Sequence, residues 1–173
     1  MKKRLEYRMY GLVPYNISPI QQGIQFGHAV VEYGLKHGKS NVINDKVDTY
    51  TQWARNDKTF IILNGGTTNN SPIYDKSGTL NKAKDELAQM GIQTATFYEP
   101  DLGDQLTAVV FLVDERVWDL TKWPDASKWY TGKDENIIDP VALVFKEDHM
   151  RTHGPDAEQI AKFQHWLKAF RLA

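Results

Sequence analysis

Residues 58–66 read Lys58-Thr59-Phe60-Ile61-Ile62-Leu63-Asn64-Gly65-Gly66. Four apolar residues in succession, stopped by an Asn-Gly-Gly turn signal, are the pattern of a fully buried strand. The flanks of that run set the fold class. Upstream, a helix is expected around Asp45–Arg55, carrying Val47, Tyr50 and Trp53. Downstream, residues 64–78 are rich in Gly, Asn, Ser and Thr and read as a surface loop. Thr79 is then placed to cap a helix over Leu80–Met90, with Leu80, Ala83, Leu87 and Met90 inward and Gly91 as its stop. A buried strand between two helices is a fragment of an α/β layer.

The same alternation continues outward. Residues 5–13 are rich in aromatics and β-formers and end at Pro14, which predicts a first strand. Ser18-Pro19-Ile20-Gln21 starts a helix with three signals: a capping serine, a proline at the first helical position and a glutamine three residues after the cap. That helix is expected to reach about Gly38. Ile20, Ile24, Gly27, Val31 and Leu35 share one face and are read as its buried side. Gly23, Gly27 and Gly34 each cost up to ~1 kcal/mol of helix propensity, and close packing against a sheet is the expected compensation. Ile92–Tyr98 and Thr107–Val113 are two further strands, joined by Glu99-Pro100-Asp101-Leu102-Gly103-Asp104-Gln105. The expectation for residues 1–115 is therefore an α/β domain, a mixed sheet of about four strands with helices on both faces. Residues 116–173 change character. Trp118, Trp123, Trp129 and Tyr130 crowd among Asp, Lys and Pro, Val141–Phe145 reads as a late strand, and Asp156–Leu172 as a terminal helix with an Asp156…Gln159 capping pair. This aromatic-rich extension, ending in a helix, is expected to pack on the first domain.

Composition excludes several function classes. The chain has 21 basic and 22 acidic residues, so no global positive field draws in nucleic acid or an anionic membrane. The absence of cysteine removes disulfides, thiolate catalysis and cysteine-ligated zinc. Met1-Lys2-Lys3-Arg4 is basic but is followed by Glu6 and Arg8, with no apolar run of the kind a leader or a membrane span requires. A soluble, cytoplasmic protein is expected.

Four pieces, in order, resemble the type 2 peptidyl-tRNA hydrolase superfamily. Gln25-Phe26-Gly27-His28-Ala29 is similar to the family's Gln-x-x-His-Ala on its first helix. Gln52-Trp53 followed by Lys58–Leu63 resembles its passage from a tryptophan into the second strand. Leu80…Leu87-Ala88-Gln89-Met90-Gly91-Ile92 is similar to its third helix and the turn beyond, and Thr107-Ala108-Val109-Val110 to the threonine that enters its last strand. The resemblance spans residues 8–113 and implies cleavage of the ester between a peptide and the 3′ end of tRNA. No cofactor and no metal are expected. The family's chemistry is attributed to a lysine and a glutamine on the first helix and an aspartate and a threonine around the last loop. The glutamine matches Gln25 and the threonine Thr107. The lysine falls on Gln21, which is a departure, and the acid falls on Glu99 or Asp101.

The residues carry alternatives of their own. Gln21, Gln25 and His28 stand at i, i+4 and i+7 and form one stripe at the rim of the expected sheet, where α/β proteins bind ligands. The alternatives are that Gln21 serves only the capping box, that Gln25 is an ordinary helix residue, and that His28 is a packed histidine rather than a base. Glu99, Asp101 and Asp104 place three carboxylates within six residues, which suits orienting a water or holding a proton, or else an acidic turn. Asn64-Gly65-Gly66-Thr67-Thr68 follows a strand, so its amides are a weak candidate for a phosphate cradle. The histidines form no zinc helix, since Gly154-Pro155 interrupts the spacing of His149 and His153. Three functions follow: a divergent peptidyl-tRNA hydrolase, a catalytically inactive module of the same fold that binds a nucleotide, an RNA end or a protein through the Trp-rich extension, and a hydrolase or transferase for another small substrate.

Overall fold

Strands β1 (Tyr7–Pro14), β2 (Thr59–Gly66), β3 (Thr94–Glu99) and β4 (Gln105–Asp114) form one sheet in the order β2-β1-β4-β3. The computed structural model describes residues 4–38, 47–68, 78–123, 125–126 and 150–173. β1 and β2 run parallel, with Arg8 opposite Thr59 and Leu12 opposite Leu63, whereas β3 and β4 are antiparallel. A parallel pair needs a crossover. Here the chain between β1 and β2 carries helices α1 (Pro19–His37) and α2 (Thr49–Asn56), and α3 (Thr79–Gln89) follows β2. The mixed four-stranded α/β sheet expected from the sequence is what forms.

The start of α1 follows its signals. Ser18 is the N-cap, its hydroxyl accepts from the Gln21 N–H at 3.3 Å, and the Gln21 side-chain Oε1 accepts from the Ser18 N–H at 3.3 Å. The face it buries does not. Gln25, Phe26, Ala29 and Tyr33 turn inward, whereas Ile20, Ile24, Val31 and Leu35 are exposed. Phe26 decides the rotation. It lies over Gly11 of β1, where a Cβ would come within 2.2 Å of the ring, and meets Phe60 edge-on at 5.4 Å. Tyr33 joins Tyr50 and Trp53 of α2 in the same layer. Seating two aromatics removes more apolar area from water than seating the aliphatic stripe. The helix glycines do not pack against the sheet as expected: a Cβ at Gly23 or Gly27 would meet nothing within 4 Å, and Gly34 abuts Tyr50 of α2.

Met9 and Val13 of β1, Ala95 of β3 and Ala108 and Val110 of β4 complete the core under α1 and α2. Because side chains alternate across a strand, Leu12 points to the other face, where it and Leu80 of α3 both border Gly65. α3 has Gly78 as its N-cap with no side-chain cap bond, because the Thr79 hydroxyl instead accepts from the Thr67 N–H at 2.9 Å. Gly91, at φ +71°, ends it as expected. β2 is an edge strand rather than a fully buried one, with Phe60 exposed. It continues through Asn64-Gly65-Gly66 instead of stopping there.

The chain divides into two compact units, one of Glu6–Val113 with Arg171–Ala173, the other of the described residues among 1–5 and 114–170. In the first, Arg171–Ala173 return along β2: the Asn64 N–H donates to the Arg171 carbonyl at 2.9 Å and the Ala173 N–H to the Ile62 carbonyl at 3.0 Å. The second holds α4 (Glu115–Trp118) and α5 (Ala157–Leu167), which is shorter than the expected terminal helix. Asp156 makes no cap bond there, since its carboxylate takes the Arg116 guanidinium at 3.0 Å. The buried Gln164 side chain accepts from the Ala126 N–H at 2.8 Å and donates to the Arg116 carbonyl at 2.9 Å. Trp118 and Trp123 are half-buried, with their indole nitrogens out of solvent rather than displayed. Trp129, Tyr130, the expected strand 141–145 and His149 lie outside the described residues.

Candidate functional site

The register between β3 and β4 shifts where the site forms. Phe97 faces Ala108 and Tyr98 faces Leu106, so β4 has one residue more than its partner, and that residue is Thr107. A bulge of this kind re-aims a side chain. The Thr107 hydroxyl meets the Gln25 carbonyl oxygen at 2.8 Å, with the Phe97 carbonyl at 3.3 Å. The Gln25 amide nitrogen donates to Glu99 Oε2 at 2.6 Å. A carboxylate only accepts, so it fixes which end of the Gln25 amide faces it and leaves the carbonyl to Thr107. The result is a hydrogen-bonded chain, Thr107–Gln25–Glu99, drawn from β4, α1 and the end of β3.

Glu99 is held from both sides. Its side chain caps the short 3-10 turn Pro100–Leu102, with Oε1 accepting from the Asp101 N–H at 3.3 Å, and its carbonyl accepts from the Asp104 N–H at 3.0 Å. Gly103 and Asp104 both have left-handed backbones, at φ +69° and +56°, which closes the loop tightly into β4. Thr107 is fully buried and Gln25 is 5% exposed. Glu99 is half-buried, so it is the member of the chain that reaches solvent. Asp101 and Asp104 are exposed, and the Asp101 contact to this chain is made by its backbone.

Of the candidates read from the sequence, Gln25, Thr107 and Glu99 are thus brought together. Gln21 is exposed and engaged in the helix cap. His28 is exposed and stacked on Phe97, ring centroids 4.5 Å apart and 17° from parallel. Phe97 was not among the candidates, although its carbonyl and its ring serve Thr107 and His28 respectively. A bulge has no residue signature here, so nothing in the sequence singles Phe97 out. The phosphate-cradle reading is not supported: the Gly66 N–H donates to Asn64 Oδ1 at 2.8 Å and the Thr67 N–H to Thr79, so both amides are engaged within the chain. Among the described residues no group of three or more His, Cys, Asp or Glu side chains is arranged to hold a metal. Among them, too, no helix is long and apolar enough to cross a membrane.

The arrangement is a carboxylate whose position is dictated by a buried amide, itself oriented by a buried hydroxyl. That is how a general base is held in one rotamer. No family model matches the chain. No curated protein matches it either.

Proposed function

We propose that this protein is a divergent peptidyl-tRNA hydrolase-like esterase in which Glu99 supplies the acid. The observation that carries the reading is the Thr107–Gln25–Glu99 chain, which joins three residues matching the family's glutamine, threonine and acid positions. In the reaction, Glu99 takes a proton from water as the water oxygen bonds to the ester carbonyl carbon. The bond from that carbon to the ribose 3′ oxygen then breaks, and the proton passes to the leaving oxygen. Gln25 and Thr107 are positioning residues, since burial keeps both from the substrate. Asp101, which is exposed and meets Glu99 through its backbone N–H, is the lesser candidate for the acid. The substrate class is cytoplasmic, in keeping with a chain that contains no cysteine.

A second reading, an inactive binding module for a nucleotide or RNA end, is favoured by one observation. Among the described residues no Lys or Arg bonds to Glu99, Gln25 or Thr107, and Gln21 at the lysine position is held in the cap. Loss of one oxyanion-stabilising donor typically costs ~10²–10³ in rate. A time course of N-blocked aminoacyl-tRNA cleavage separates the two. On the hydrolase reading, turnover is slow, falls about 10²-fold or more in Glu99→Gln, and persists in Asp101→Asn. Gln21→Lys raises it by up to ~10²-fold. No turnover in the wild type, together with tRNA binding that Glu99→Gln leaves intact, establishes the binding module.

A further inference from the structure

Beside the Thr107–Gln25–Glu99 chain lies a pair of stacked rings, His28 and Phe97, that take no part in it. The rings are 4.5 Å apart and 17° from parallel. Phe97 is half-buried against the layer under α1, whereas His28 is exposed and forms the outer leaf of the stack. Among the described residues His28 makes no hydrogen bond or ion pair, so the stack alone orients its ring. Both members stand close to the Glu99 carboxylate, each along its own element. Phe97 and Glu99 are two residues apart on the face of β3 that meets α1, about 6.6 Å along the strand. His28 comes three residues after Gln25, whose amide holds that carboxylate at 2.6 Å, and helix residues so spaced have Cβ atoms about 5–6 Å apart. The outer ring is therefore set one side chain away from Glu99.

We infer that the outer face of the His28 ring is the platform on which the terminal nucleobase of an RNA 3′ end stacks, an assignment that rests on the RNA-end substrate proposed above, in its hydrolase or its binding-module form. In that substrate the ester and the terminal base hang from the same ribose. A base must therefore lie one sugar away from the carbonyl carbon that Glu99 serves, which is where the stack stands. The peptide extends from the other side of that carbon and varies from one substrate molecule to the next. A fixed flat ring suits the invariant base and not the peptide. Unstacked bases at RNA ends are bound on aromatic and histidine faces, and each stacked base is worth roughly 5- to 150-fold in affinity. Phe97 backs the histidine, so the base completes a stack of three rings. The Phe97 carbonyl also accepts from the Thr107 hydroxyl at 3.3 Å, which ties the platform to the residues that hold Glu99.

The test uses the full chain and reads binding apart from turnover. A 5′-labelled single-stranded RNA ending in adenosine, and the same RNA with an abasic ribose at its 3′ terminus, are titrated by fluorescence anisotropy at one fixed salt concentration. The wild type is expected to bind the adenosine end roughly 5- to 150-fold more tightly than the abasic one. His28→Ala, at an exposed position, binds the two alike with unchanged thermal melting, and His28→Phe keeps the preference. With N-blocked aminoacyl-tRNA, His28→Ala raises KM and leaves kcat in place, as loss of uniform binding does, whereas Glu99→Gln lowers kcat. No cleavage by any variant, with the His28-dependent preference intact, refutes the hydrolase and leaves the platform standing. Glu99-dependent cleavage by a wild type that binds the abasic RNA as tightly as the intact one overturns the platform alone. A preference that His28→Ala retains, a preference that His28→Phe loses, or no RNA binding at all also overturns it.

Discussion

The Thr107 hydroxyl begins a chain of contacts that ends at the half-buried Glu99 carboxylate, and both polar ends of the Gln25 amide between them are occupied. Inside a protein such a chain is favourable while complete and costly once broken, because a buried polar atom left without a partner keeps its desolvation penalty. Thr107→Val preserves shape but leaves the Gln25 carbonyl oxygen without its donor. The expected loss is about 1–3 kcal/mol of stability in urea unfolding, with a parallel fall in any Glu99-dependent turnover. Thr107→Ser, which retains the hydroxyl, is expected to recover most of both. Equal losses in Val and Ser would mean that the methyl group, not the hydrogen bond, matters there. Gln21 was legible as a capping residue from its spacing to Ser18, since that bond is local. The partnership of Gln25 with Thr107 spans 82 residues and depends on a bulge, so the sequence suggested it only through a family resemblance.

At the scale of elements, α1 shows why local signals succeed at a helix end and fail on its face. The cap needs only residues 18–21, but the choice between two apolar faces depends on what the sheet offers. Gly11 offers a hollow that Phe26 fills, and that rotation also carries the neighbouring Gln25 to Glu99. Gly11→Ala is therefore expected to cost about 1–3 kcal/mol by overpacking and to weaken turnover, since displacing Phe26 displaces Gln25. Gly23→Ala is the converse case, on a helical backbone with open space at the Cβ. It is expected to stabilise the protein by about 0.5–1 kcal/mol. Chemical denaturation of both variants checks the contrast, and a neutral Gly11→Ala would refute the account of the helix rotation. The strand run 58–63 was likewise recognisable as a strand, but its burial was not. An apolar run reads the same in a central strand as at an edge whose neighbour is the chain's own last residues.

For the molecule as a whole, the layer joining α1, α2 and the sheet contributes stability that alkali removes. Tyr33 is 3% exposed between these elements, and burial pushes its phenol up to about 12 from an ordinary value of 10.0. The Asp48 charge adds to the rise, and a hydrogen bond from the Leu112 backbone opposes it. The folded state thus keeps a proton that the unfolded state releases above pH 10. Its contribution is fully present below the unfolded value and is lost as pH climbs through the folded one. The loss attributable to Tyr33 is about 1 kcal/mol between pH 9 and pH 11. Other groups titrate in the same window, so the comparison is with Tyr33→Phe, which packs alike and has no proton to lose. Removing the phenol oxygen also deprives the Leu112 N–H of its acceptor, but that penalty is the same at every pH and shifts the curve without changing its slope. The wild type should lose stability more steeply than the variant from pH 9 to pH 11 in denaturant titrations. Parallel curves would mean that Tyr33 titrates in the folded protein as it does in the unfolded chain, and that the layer under α1 is open to water.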